Sequence, residues 1–404
     1  MRTLAVDGGA PAFDTEKTKV LWPAPTDAET AALQRVLDSG VWTRSRDANW
    51  SEGEAGQFER EFGAYLGCNH VTAVTNGTVA IELALSALGV EPGDEVIVPA
   101  STFFATVSPV VRMRAIPVFA DIDPLTYTVS PDSIAERVTD RTVGVLVVHL
   151  SGVPVNLDAV VSVCARDSLF LVEDCAQAAG SQWRGRQVGT VGDVGTFSFH
   201  HEKQLTCGEG GAVATDDARL AGRMYAFHHG FWMPGAPEQE CHEISTNARL
   251  TPFQAAILRA RLPRLDDEID RRQRNVALLR ELLGPAVVPV RPPAETTRWS
   301  VYSVPLRLDH EHAEGLSRDR LVRALRAEGV SAHEGHLDPV YRRPMFRDNP
   351  IQYRNDGCPA AEHAADRTGF VISQRMFLGP DTWMYRLAEL IEELVTSGRC
   401  HAEE

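Results

Sequence analysis

The stretch FSFHHEKQLTCGEGGAVAT, residues 197–215, contains Lys203, one of three lysines in the chain; the others are Lys17 and Lys19. Arginine fills the remaining 37 of the 40 basic positions. A lysine beside a glycine cluster can be a solvated cation, an anion binder, or a nucleophile that forms a Schiff base with a carbonyl. Lysine is mostly a surface residue, so the first is the default. Composition weighs against it. Where arginine serves nearly everywhere, a retained lysine asks for something a guanidinium cannot supply, and a guanidinium stays protonated and makes a poor imine.

Asp174, in LVEDCAQ, lies 29 residues earlier at the end of an apolar run. Its carboxylate could bind a metal, act as a base, cap a turn, or hold a protonated ring nitrogen. A metal needs several hard ligands. Only Glu173 is adjacent, and neighbours on a strand point to opposite faces; no metal site is expected. A Schiff-base lysine plus an acid for the ring nitrogen is the pair that pyridoxal phosphate requires. In TNGTVAIELAL, Gly77 and Thr78 open a helix, where free N–H groups and a hydroxyl form an anion site. Ser198 offers a second hydroxyl five residues before Lys203. Phe103 follows a strand and could stack on a ring, although a core position is the commoner fate of a phenylalanine. GxGxxG is missing, and GEGG lacks the GK[ST] of a P-loop; alone it reads as a tight turn.

The elements that must position these residues alternate. VTAV, DEVIVPA, AIPVFA, TVGVLVVHL and LFLVED read as strands, with helices over DAETAALQRVLDSG, AGQFEREFGAYLG, TVAIELALSALG and STFFATVSPVVRM. Short Val/Ile/Leu runs alternating with helices predict an α/β fold with a mostly parallel central sheet covered on both faces. Ligands in such sheets collect beyond the strands' C-terminal ends, where TNG, PASTF, VHLSG and EDCAQ all fall. A long helical region ends near PVRPPAE. The expected organisation is an N-terminal arm (1–26), a large cofactor-binding domain (27–288) and a smaller C-terminal α/β domain (289–404). The formal charge of -15 disfavours a nucleic-acid or anionic-membrane footprint. Seven scattered cysteines without CxxC suggest neither a disulfide framework nor a zinc site. With no leader and no long apolar run, a soluble cytoplasmic protein is expected.

In order along the chain, TNGTVAIELAL, PASTFFATV, PVFADIDPLTY, VVHLSG, LVEDCAQAAGSQWRG, VGDVGTFSFHHEKQLTCGEGGAVAT and NARLTPFQAAIL resemble the DegT/DnrJ/EryC1/StrS family. These are pyridoxal-phosphate-dependent sugar and cyclitol aminotransferases. The resemblance covers roughly residues 20–375. It implies the type I aminotransferase fold and a homodimer with shared active sites. It implies Lys203 as the Schiff-base lysine, Asp174 as the ring-nitrogen partner, Phe103 as the stacking aromatic and Gln177 beside the ring's phenolic oxygen. Gly77, Thr78 and Ser198 match the phosphate contacts. Asn247 matches an asparagine that reaches the phosphate from the partner subunit, and Ala248 stands where many relatives carry an aromatic. The implied reaction moves an amino group from L-glutamine or L-glutamate to a keto-cyclitol or related keto-sugar in secondary metabolism. HLDPVYRRPMFR and CPAAEHAADRTGFVISQRMFLG resemble the aminocyclitol and aminohydroxybenzoate synthase branch. FSFH is also common among nucleotide-sugar aminotransferases, so that acceptor class stays open. So do a dehydrating or aromatising outcome and a non-catalytic regulatory role. A sugar 3-dehydratase relative carries histidine at the lysine position, which Lys203 argues against. His200, His201 and Glu202 receive no role.

Overall fold

Alternation along the apolar strands decides the architecture. Ile97, Val118, Val145 and Val147 enter one buried cluster. Their chain neighbours Val96, Val98, Phe119, Leu146 and Val148 enter another. Successive strand side chains point to opposite faces, so one sheet feeds two cores. In this computed structural model, which describes residues 3–14, 20–44, 52–229, 244–313, 315–335 and 337–400, that sheet has eight strands. Their order is His70–Val74, Gly211–Thr215, Val194–Ser198, Phe170–Asp174, Thr142–Val148, Glu95–Pro99, Ile116–Ala120, Arg354–Asn355. From Val194–Ser198 to Arg354–Asn355 every pairing is parallel; Gly211–Thr215 runs antiparallel to both its neighbours. Lys17 and Lys19 lie outside the described residues.

Helix ends follow their sequence signals. Asp27–Ser39 starts in a capping box made by Thr26 and Glu29 and stops at Gly40 in the left-handed region. Gly77–Leu88 starts at Asn76, whose side chain accepts the N–H of Val79. The expected single helix over STFFATVSPVVRM is instead a 3-10 turn, Phe104–Thr106, followed by Ser108–Arg112. Pro109 has no N–H to continue a helix from the preceding turn, but it suits a new start.

The strands Val287–Pro289, Ser303–Leu308, Gly369–Ser373 and Ala332–His333 form a second sheet, wholly antiparallel. It shares a third core with the helices Arg318–Ala327 and Thr382–Cys400 through Leu306, Ile372, Leu321 and Leu387. The chain also returns to the first sheet. Arg354–Asn355 extends its edge, and Arg354 reaches the buried Glu95 at 2.7 Å. Among the described residues no helix is long and apolar enough to cross a membrane.

Candidate active site

Glu173 and Asp174 end one strand and face opposite ways. Glu173 is fully buried and holds the structure together. Its Oε1 accepts the N–H groups of Val191 and Gly192 at 2.8 and 2.7 Å; its Oε2 accepts that of Gly189 at 2.9 Å and lies 3.0 Å from His149 Nε2. The Val155 N–H donates to His149 Nδ1 at 3.1 Å, so the histidine carries its hydrogen on Nε2. Burial works to raise the Glu173 pKa, yet His149 and the loop amides hold it below the usual carboxylate range. Glu173, His149 and Cys175 lie close enough to resemble a metal cluster. The Glu173 and His149 atoms are committed to these hydrogen bonds, Cys175 Sγ lies 3.6 Å from the Glu173 carbonyl, and Glu173 with His149 pins the loop that leads into Val194–Ser198.

Asp174 turns the other way, into a cleft of about 660 Å³ at the strands' C-terminal ends. It is buried. Its Oδ2 accepts the Thr106 hydroxyl at 2.8 Å and its Oδ1 accepts the Ala176 N–H at 3.0 Å. Burial pushes its pKa up; those two donors and the Lys203 charge pull it back.

Lys203 enters the same cleft, with Nζ 4.4 Å from the centroid of the Tyr302 ring. Among the described residues it is the single lysine. Burial lowers its pKa from 10.5 to about 8, against the opposing charges of Asp174 and Glu202. The next residue anchors it: Gln204 Nε2 donates to the Gln177 carbonyl at 2.7 Å and to Ser300 Oγ at 2.9 Å. Gln177 Oε1 accepts the Ser151 N–H at 2.7 Å, which leaves its amide NH2 as the group presented to the cleft it lines.

The helix opening at Gly77 supplies the anion cradle. Asn76 takes the N–H of Val79 with its side chain and that of Ala80 with its carbonyl. The N–H groups of Gly77 and Thr78 are not needed by the helix. A Cβ on Gly77 would meet Ser198 Cβ at 2.8 Å. Only glycine therefore lets the helix start, Thr78 and Ser198 close on one small oxyanion. Phe103 is 42% exposed on the cleft wall rather than in the core. A buried lysine, a buried acid, a flanking aromatic and an anion cradle at a helix start together fit pyridoxal phosphate.

Seven of the eight residues expected from the sequence thus line one cleft. Asn247 does not; it is exposed beyond it. Its neighbour Ala248 is buried, and the Ala248 carbonyl accepts the N–H of Thr75, just before the cradle. Sequence reasoning missed Thr106 and Tyr302. Thr106 could have been found, since it lies three residues after Phe103 in PASTFFATV, one turn further along. Tyr302 could not. It arrives from a remote segment through Val301, a β-branched residue at φ 52°, where such residues rarely sit.

The depressed lysine pKa has a direct consequence. Only the neutral amine attacks a carbonyl, and its share grows as pH rises through the pKa. Capture of pyridoxal phosphate by the apo-protein, followed by absorbance, should rise with a midpoint near pH 8 rather than 10.5. A midpoint at the free-lysine value would place the reacting amine outside this cleft.

A doubly covered, mostly parallel sheet with such a cleft at its strand ends defines a type I pyridoxal-phosphate enzyme, here a transaminase. The chain belongs to the DegT/DnrJ/EryC1/StrS aminotransferase family, which residues 24–373 match. It is 39% identical to the L-glutamine:2-deoxy-scyllo-inosose aminotransferase of Streptomyces lividus, over 98% of each chain. The crystal structure of 3-amino-5-hydroxybenzoic acid synthase superposes with a TM-score of 0.85 at 33% identity, covering 94% of this chain and 98% of that one. The structure of DesI with its TDP-sugar product gives 0.84 at 32%, covering 98% and 97%.

Proposed function

We propose that the protein transfers the amino group of L-glutamine to a keto-cyclitol, 2-deoxy-scyllo-inosose or a close analogue, in aminocyclitol antibiotic biosynthesis. The observation that carries this reading is the end-to-end match to an L-glutamine:2-deoxy-scyllo-inosose aminotransferase, on a chain whose cleft has the lysine, acid and anion cradle that amino transfer needs. Lys203 is the covalent anchor of the cofactor and the base that carries a proton at Nζ; a pKa near 8 lets it both bind and release that proton at working pH. The Tyr302 ring confines Nζ on one side. Asp174 holds the ring nitrogen, Phe103 flanks the ring, and Gln177 offers its NH2 to the phenolic oxygen. Gly77, Thr78 and Ser198 hold the phosphate. Pyridoxal phosphate, when bound, supplies the electron sink that stores and passes on the amino group. The working unit is a homodimer. The exposed position of Asn247, on a segment tied to the cradle's edge, suits a residue that serves the partner's phosphate.

The reading is tested by loading the enzyme with amino group from L-glutamine, removing the donor, and offering acceptors. 2-Deoxy-scyllo-inosose and scyllo-inosose should restore the original cofactor absorbance and yield an amine by mass spectrometry. Recovery confined to nucleotide-linked keto-sugars would replace the cyclitol by the DesI-like acceptor class. An aromatic product would favour the reading suggested by the likeness to the aminohydroxybenzoic acid synthase.

A further inference from the structure

Glu202, next to Lys203, has no task in the reaction as described. Its carboxylate lines the cleft beside Tyr302. The two oxygens are treated differently. Oε1 accepts from Arg375 Nη2 at 2.8 Å and stands 2.8 Å from His201 Nε2. Oε2 accepts no hydrogen bond from the described residues. The main chain around it is held from three sides. Gln374 donates to the Glu202 carbonyl, Trp22 Nε1 donates to the His201 carbonyl at 3.0 Å, and the Lys203 N–H donates to the His200 carbonyl at 2.8 Å. The described residues therefore fix this anion through one oxygen, Oε1, and supply no donor to the other.

Stability is a poor reason for such an arrangement, because a half-exposed ion pair adds little. The surroundings say what the donor is. The lining of the cleft carries Glu82 and Glu209 besides Glu202, and Arg112 is paired with Glu82 at 2.7 Å. A fixed carboxylate among other acids attracts hydroxyl groups and repels anions. Hydrogen bonds to a charged acceptor are about twice as strong as neutral ones. A site built to bond one hydroxyl also discriminates sharply against analogues that lack it.

We propose that Glu202 is a specificity-determining residue whose Oε2 accepts a ring hydroxyl of the polyhydroxy ketone. It selects neutral polyol rings over rings bearing a carboxylate or phosphate at that position. The inference rests on the acceptor class argued above and deepens it.

Glu202→Gln is the informative variant. Arg375 and His201 both address Oε1, so the amide oxygen takes that place and the NH2 replaces Oε2. The free group changes from acceptor to donor, and one of the two negative charges that favour protonated Lys203 is lost with it. The two half-reactions are then measured separately by cofactor absorbance. With L-glutamine, at a pH above 8 where Lys203 is largely neutral in both proteins, the rate and KM should stay within about twofold of wild type. With 2-deoxy-scyllo-inosose, KM should rise about 10- to 100-fold while kcat changes little. Acceptor binding to the amino-loaded enzyme by calorimetry should weaken in parallel. An unchanged acceptor KM overturns the inference and leaves the cyclitol reading intact. Equal slowing of both half-reactions also overturns it, and assigns Glu202 to holding the lysine loop. A wild-type enzyme that aminates no polyhydroxy ketone overturns the acceptor reading and this inference together.

Discussion

Lys203→Arg is expected to abolish covalent capture of pyridoxal phosphate and to lower transamination by about 10²–10⁴-fold from lost proton transfer alone. Arginine keeps a positive charge near Asp174, so a purely electrostatic lysine would survive the change. A nucleophilic one would not, because the guanidinium stays protonated. The cleft makes the distinction sharp. Nζ lies against the Tyr302 ring, and burial lowers its pKa to about 8, a value arginine cannot approach. Borohydride reduction of the wild type followed by peptide mapping should put the pyridoxyl group on Lys203. A reduced adduct on Lys17 or Lys19 would sink the assignment, as would a Lys203→Arg protein that still binds the cofactor covalently.

Much of this site was legible because its parts are local. The cradle is a turn plus a helix start, and TNGTV spells both. Asp174 ends an apolar run, and alternation separates it from Glu173. The large sheet was legible for the same reason: five Val/Ile/Leu runs punctuated by helices admit few arrangements. What escaped the sequence depends on contacts between distant segments. Tyr302 comes from 99 residues beyond Lys203 and enters through the left-handed Val301. Arg354–Asn355 is two residues long, too short for any periodicity, yet it closes the edge of the large sheet. The helix expected over STFFATVSPVVRM failed on a local signal that was present, Pro109. Glu202 received no role from the sequence because neither Arg375 nor the division of labour between its two oxygens can be seen in a chain read in one dimension.

Asp174→Asn should separate stability from catalysis. The substitution keeps volume. The Asn carbonyl can still accept from Ala176, and the Thr106 hydroxyl can rotate to accept from the new NH2, since it also has Thr102 Oγ1 at 2.9 Å. What disappears is a buried negative charge. Burial raises the Asp174 pKa above 3.8, so the folded apo-protein holds its proton to higher pH than the unfolded chain does. Stability falls as pH rises through that window and stays reduced at neutral pH. Removing the charge lifts the penalty, so the apo Tm at pH 7 should hold or rise. The cost falls on the chemistry. A preorganised charge aimed at a developing charge is worth roughly 10²–10³ in rate, and the donor half-reaction in single turnover should slow by about that factor with cofactor still attached. The variant also removes the main charge that supports protonated Lys203, so the midpoint for cofactor capture should move below pH 8. A normal half-reaction rate with bound cofactor would remove Asp174 from the ring nitrogen. A large fall in Tm would show that the aspartate is kept for the fold instead.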